Sequence, residues 1–383
     1  MAGGRLGGVR RLTYCTNIHP GESWADARRN LEAHLLGVKA AVSPTAPFPI
    51  GLRLSGQAVA EIDDAESMRF RDWCDQSDAY VLTVNGFPHG RFHGVAVKER
   101  VYDPDWRDPE RAEYTKAIAD RLAEWVPSDA PASISTVPIA WAPSFSDDDW
   151  PLVRRNVLAV VEHLDRLAGR TSKTMVLAFE PEPGCVVETT EQAVALFDRL
   201  ALPDGLRRYA GLCYDCCHQA VEFEEPRSSF ARLQRAGIPI GKVQVSSSLR
   251  ARGDEIANLL AFDEPTYLHQ VIARDVEGNL HRAPDLPAFF GPGGRGRAEG
   301  PALEECRVHF HVPIFAEHLG PVGTTQSFLD DLLPALDEEI ALEVETYSFD
   351  VLPAELRHDS VAESIARELR WAQQRYHASN RSS

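Results

Sequence analysis

Short apolar runs alternate along the chain with longer stretches in which apolar residues recur every three or four positions. The runs RLTYCTN (11–17), PIGLRLS (49–55), AYVLTVN (79–85), ASISTVPIA (132–140), TMVLAFE (174–180), YAGLCYD (209–215), GKVQVSS (241–247), RVHFHVP (307–313) and IALEVET (340–346) read as strands. Each is about strand length and rich in β-branched or aliphatic residues. The stretches DARRNLEAHLLGVKAAV, PERAEYTKAIADRLAEWV, WPLVRRNVLAVVEHLDRLAG, TTEQAVALFDRLAL and SVAESIARELRWAQQRYH read as amphipathic helices. Strands alternating with helices predict a parallel sheet. At about 48 residues per unit, the chain suits eight units closed into a (β/α)8 barrel with inserted loops. The alternative, a doubly wound open sheet, usually carries a Gly-rich phosphate turn after its first strand. Here that strand runs into TNIHPGES instead.

Nine runs exceed eight by one, and 307–313 is expected to be the extra or irregular one, supplied after an insertion over 248–305. That insertion contains FFGPGGRGRAEGP and is expected to be a loop or lid, because no strand–turn–helix context makes it a phosphate cradle. With neither repeat nor linker, 1–383 reads as a single domain.

Composition narrows the function classes. Hydrophobic residues make up 44% and charged residues 25%, the profile of a globular protein. A formal net charge of -17 repels phosphate backbones, so nucleic acid is not an expected partner. The same charge suits a metal cation and a neutral or cationic small molecule. Seven cysteines, an odd number in a long chain, argue against a disulfide framework. The opening MAGGRLGGVRRLTYC lacks an apolar core of signal-peptide length, and no run approaches the ~20 residues of a membrane span. The expectation is a cytoplasmic protein with no membrane span; homo-oligomers and pathway partner proteins are left open.

Chemistry concentrates where strands end. In β/α barrels the active site lies at the C-terminal ends of the strands. TMVLAFEPEP ends in Glu180 with Glu182 beyond it; YAGLCYDCCH ends in Asp215 with His218 three residues on. Cys213 and Cys216 form a C-x-x-C without the second pair a zinc ribbon needs, so they read as packing residues. GKVQVSS carries Gln244 and Ser246. Alternation puts His309 and His311 on one face of RVHFHVP, and Glu343 and Glu345 on one face of IALEVET. Two inward carboxylates resist ionisation unless a cation joins them. That cation is a metal, or a buried Arg53 or Lys242. Carboxylates with imidazole suit manganese, magnesium, cobalt, zinc or iron alike. Nearer the start, His19, Asn85, Phe87, His89 and His93 follow the first and third strands and are candidates to hold a polyol.

The order Glu180, Asp215-x-x-His218, Gln244, His309-x-His311, Glu345 resembles the xylose isomerase-like barrel superfamily, which includes sugar isomerases, epimerases and endonuclease IV-type enzymes. Longer motifs, among them LTYCTNIHPGESW, TVNGFPHGRFHG, CYDCCHQAVEFE and EVETYSFDVLP, resemble the metabolite traffic protein EboE family. The resemblance implies a divalent metal held by Glu180, Asp215, His311 and Glu345, with His218 matching a ligand of the endonuclease-like branch. Gln244 stands where most members have a metal-binding histidine, and His309 where the endonuclease-like branch has an aspartate. The implied activity is isomerase- or epimerase-like action on a small sugar, cyclitol or related polyol carbonyl compound. Glu180 and Glu345 would move protons, and Glu182, Ser246 and His309 would stand near substrate. A non-catalytic metabolite-binding or transfer protein, and a metal-dependent phosphodiesterase, are the rival classes.

Overall fold

The computed structural model describes residues 11–128, 130–296, 300–353, 357 and 360–376. Its strands are β1 (Leu12–Tyr14), β2 (Phe48–Arg53), β3 (Ala79–Asn85), β4 (Ala132–Thr136), β5 (Met175–Phe179), β6 (Ala210–Asp215), β7 (Ile240–Val245), β8 (Ser247–Arg252), β9 (Val271–Asp275), β10 (Leu280–Ala283), β11 (Leu303–Val312), β12 (His318–Leu319), β13 (Val322–Thr324) and β14 (Leu342–Val344). β1–β7 and β14 pair in the order β1-β14-β7-β6-β5-β4-β3-β2, every pair parallel. A parallel bridge between Cys15 and Gly51 brings β1 against β2 and completes the ring. The fold is therefore a (β/α)8 barrel, built from eight of the nine expected runs.

Helices follow the barrel strands, and their starts are written in the sequence. Ser23 and Asp26 form a capping box before Trp24, Asp108 caps a helix with Pro109 in its first turn, and Thr189 and Gln192 form a second box. The helix Trp150–Thr171 buries Val153, Val157, Val160, Val161, Leu164 and Leu167, spacings that keep one face on the barrel. The run expected over 132–140 ends earlier, at Thr136, because Ile139 turns the chain at φ +80°.

The β1–β2 seam has little backbone ladder, and hydroxyls replace it. Thr13 Oγ1 donates to Pro49 O (2.7 Å) and accepts from Gly51 N (3.1 Å), while Thr16 Oγ1 accepts from Arg53 N (2.8 Å). Glycine is required at 51: a Cβ there would lie 2.6 Å from Glu343 Oε2 and 2.7 Å from Tyr14 O. Inside the barrel Lys242 Nζ meets Glu343 Oε1 at 3.1 Å, both side chains fully buried. Lys242 is thus the cation that Glu343 requires, and Arg53 instead pairs with Glu22 at 2.8 Å.

The ninth run is the extra one. Residues 307–313 fall largely in β11, which pairs antiparallel with β8 and β9 in a second sheet of order β10-β9-β11-β8-β13-β12. Residues 248–305 hold most of β8, all of β9 and β10, and the start of β11; within the Gly-rich stretch, 297–299 lie outside the described residues. Only Ser246 separates β7 from β8, so one extended segment runs out of the barrel into the second sheet.

Candidate metal centre

The barrel mouth gathers three strand ends and one strand of the second sheet. Glu180 follows β5, Asp215 ends β6 and Glu345 follows β14. β11 supplies His309 and His311 where its register with β8 shifts between Val308 and Val312. That irregularity frees the segment to face the mouth, and His309 N donates to Gln270 O at 2.9 Å. Three sets of candidate ligand atoms each lie within 4.8 Å of one another: Glu180, Asp215 and Glu345; Asp215, His218 and His311; Cys217, His309 and His311.

Hydrogen bonding prepares these groups. Asn17 Nδ2 (2.7 Å) and Asn85 Nδ2 (3.0 Å) both donate to Glu345 Oε1. Asp215 Oδ1 accepts from His218 N (2.9 Å) and Ser246 Oγ (2.8 Å). His311 Nδ1 donates to Glu345 O (3.0 Å), which fixes its tautomer and leaves the Nε2 lone pair without a partner. Glu180 Oε2 and Asp215 Oδ2 are likewise buried without partners. Orphaned buried polar atoms are costly and rare. Here two carboxylate oxygens and an imidazole lone pair are left over within one cluster, a donor set that fits a divalent cation.

Electrostatics tells the same story. Burial, then the neighbouring Asp215, raises Glu180 to about 7. Burial, then Glu180 and Asp215, pushes Glu345 well above the carboxylate range. Burial opposes charge on Asp215 too, but His218, His311 and its hydrogen bonds outweigh it and hold its pKa low. Burial lowers His311 to about 4, so its imidazole is neutral near pH 7 and free to ligate. Three buried carboxylates this close repel one another, and a cation among them removes that cost.

His218 and His309 form a second pairing, Nε2 to Nε2 at 3.0 Å. His218 Nδ1 donates to Pro181 O (2.9 Å) and His309 Nδ1 to Gln270 Oε1 (2.7 Å), so the facing nitrogens need a shared proton or cation. Burial works against charge on His218, yet Asp215, Glu182 and Glu180 together raise its pKa, whereas burial and then His218 drive His309 down. A proton between them therefore belongs to His218.

Gln244 is engaged elsewhere. With its amide nitrogen donating to Glu343 O (3.1 Å), its oxygen accepts from Lys242 Nζ (3.2 Å). Ser246 braces Asp215 and, through its hydroxyl, accepts from Cys217 N at 2.9 Å. Glu182 accepts from Tyr102 Oη (2.7 Å) and Gln270 Nε2 (3.1 Å) at the cavity wall, near Asn85 and Phe87. His19, His89 and His93 do not line this cavity. His19 stacks on His34 at 4.4 Å, His89 lies against Tyr114, and His93 Nε2 donates to Asn17 O at 2.7 Å. Asn17, Cys217, Gln270 and Tyr347 are site residues that strand-end reasoning misses. Asn17 and Tyr347 are signalled by their places after β1 and Glu345; Gln270, inside the insertion, has no sequence signal.

No protein-family model matches the chain, and no curated protein does either. Solved structures match in fold. The IOLI protein with a bound zinc atom aligns over 96% of this chain and 98% of its own, at 12% identity and TM-score 0.50. D-psicose 3-epimerase aligns over 96% and 98%, at 10% identity and TM-score 0.47. SacUVDE aligns over 94% and 96%, at 11% identity and TM-score 0.39. At 12% identity the likeness to the IOLI protein concerns fold alone, a (β/α)8 barrel. No helix among the described residues is long and apolar enough to cross a membrane.

Proposed function

We propose that the chain is a divalent-metal-dependent enzyme of isomerase or epimerase type, acting on a small carbonyl compound with an adjacent hydroxyl, the unit that sugars and cyclitols carry. The observation that carries this reading is that two ligand sets, Glu180–Asp215–Glu345 and Asp215–His218–His311, share Asp215 and contain the unpartnered Glu180 Oε2, Asp215 Oδ2 and His311 Nε2. Glu180, Asp215, His311 and Glu345 would hold the metal, with His218 next to them. When bound, the metal supplies Lewis-acid polarisation of a carbonyl oxygen and an anchor for its neighbour. Glu180 and Glu345 take a proton from the adjacent carbon and return it. Asn17 and Asn85 hold Glu345 in place for that transfer. His218, braced by Pro181 O and facing His309, stands beside the site where it can hold a substrate oxygen. The motif likeness to the metabolite traffic protein EboE family, a polyol substrate within a biosynthetic pathway and a cytoplasmic setting belong to the same proposal; seven buried free thiols agree with the last.

The test is deuterium wash-in from D2O at the carbon beside the carbonyl, followed by proton NMR over a panel of ketoses and inososes with each metal in turn. Wild-type protein exchanges that proton, whereas Glu180→Gln and Glu345→Gln abolish exchange and keep the circular dichroism of the parent. Undiminished exchange in both variants overturns the mechanism. A second reading, a metabolite-binding or transfer protein, draws on Gln244 being tied to Lys242 and Glu343. Metal bound at one equivalent with no exchange on any panel member favours it. Phosphodiester hydrolysis is disfavoured by the charge of -17.

A further inference from the structure

The mouth holds acidic groups, but much of its lining is apolar. Beside Glu180, Glu182 and Glu345 the cavity is lined by Phe87, Pro88, Phe92, Val97, Tyr267 and Leu268. Of the polar groups there, Asn17 Oδ1 is left without a partner, whereas Lys98, Tyr102 and Asn85 are engaged. Lys98 Nζ donates to Tyr267 O (2.7 Å), Glu264 O (3.3 Å) and Asp285 Oδ2 (2.7 Å), so its charge is neutralised and its three donors are taken. Tyr102 Oη donates to Glu182 and accepts from Gln270 Nε2 at 2.9 Å. The Asn85 amide is divided between Glu345 and Phe87 N. A polyol seated here would bury hydroxyls against rings and aliphatic carbons, each one losing its bonds to water.

A second observation concerns packing. Buried Phe92, Val97 and Tyr267 form a hydrophobic cluster of their own, apart from the main core. Phe92 lies 5.0 Å from Tyr267 and 5.3 Å from Tyr347 between ring centroids. The cavity that these residues line is about 50 Å³, room for about four waters at the 10–15 Å³ each occupies on this measure. A hydrocarbon group seated among them gains contacts with their rings and aliphatic carbons, whereas a hydroxylated one loses its bonds to water there.

We infer that the substrate joins a chelating pair of oxygens to a hydrocarbon body, alkyl or aryl, which seats among Phe87, Phe92, Val97 and Tyr267. This rests on the metal-dependent reading above and narrows it, from free sugars to an α-hydroxycarbonyl carried on an apolar group. Hydroxamates test it, since their two oxygens chelate a metal while the attached group is varied. Zinc- and manganese-loaded protein is first titrated for metal content, then by calorimetry with acetohydroxamate, butanohydroxamate, hexanohydroxamate, benzohydroxamate and the trihydroxylated four-carbon analogue of butanohydroxamate, erythronohydroxamate. Affinity is expected to rise about fourfold per added methylene along the alkyl series. Erythronohydroxamate is expected to bind no tighter than acetohydroxamate, and Val97→Asn to flatten the alkyl series. A flat alkyl series on metal-loaded wild-type protein, or erythronohydroxamate binding more tightly than hexanohydroxamate, overturns the inference and leaves the metal-dependent reading standing. Failure to bind metal at all overturns both.

Discussion

His311 and Gln244, on β11 and β7, illustrate opposite fates for a polar side chain. His311 spends one nitrogen on a carbonyl and keeps the other in reserve, while Gln244 is fully consumed by Lys242 and the Glu343 carbonyl. If Gln244 is a structural amide, Gln244→Leu destabilises the fold by about 1–3 kcal/mol by stripping a partner from buried Lys242. Metal affinity then changes less than tenfold, and calorimetric titration alongside urea melts separates this from a ligand's loss. Glu180 supplies a pH signature. Its pKa is raised to about 7 in the folded state, against about 4.3 in an unfolded chain. Between those values the folded state holds more protons, so this group's contribution to the stability of metal-free protein falls as pH rises through the window. Glu180→Gln removes that slope. Scanning calorimetry from pH 4 to 8 checks it; the wild-type Tm gaining on the variant's with rising pH would contradict it. Residues of this kind were legible because an acid closing an apolar strand is conspicuous. Gln270, one amide inside a long insertion, is not.

At the level of elements, the barrel strands were readable because each is a run of aliphatic residues buried on both faces, as a parallel sheet enclosed by helices demands. The second sheet was harder. Its β8 (SSLRAR) and β10 (LHRA) mix charges with apolar residues at positions that are part exposed, a pattern that looks like loop. The alternation of RVHFHVP was read correctly as two-faced, with Val308 and Phe310 in the core and the histidines at the mouth. Its antiparallel partners lie in the insertion and could not be inferred locally. Between β7 and β14, the Lys242–Glu343 pair gives an element-scale prediction. Lys242→Met alone costs about 3–5 kcal/mol by leaving a buried carboxylate unpaired. Lys242→Met with Glu343→Leu recovers most of that loss, and chemical denaturation of the single and double variants measures it.

For the whole molecule, the metal would act as a clasp. Glu180, Asp215 and Glu345 belong to the barrel, whereas His311 belongs to the second sheet. Saturating zinc or manganese should raise the unfolding free energy by about 2.7 kcal/mol at a hundredfold excess over Kd. Hydrogen exchange should slow in β8, β9 and β11 as well as at the mouth, and a chelator should reverse both effects. Protection confined to the barrel would show that the second sheet takes no part in binding.

The bond from Asn17 to Glu345 spans 328 positions of the chain. Its two residues flank the seam where β1 meets β14, so the proposed ligands and the amide that braces one of them are drawn from both flanks of the polypeptide. During synthesis a ribosome has released Asn17, Glu180, Asp215 and His311 before Glu345 emerges. A nascent chain thus offers only a partial set of donors, and the full affinity for an ion arrives with the last barrel strand. Ion capture at the proposed site would in this way wait for the last barrel strand, when the surrounding walls already exist to decide what else may enter.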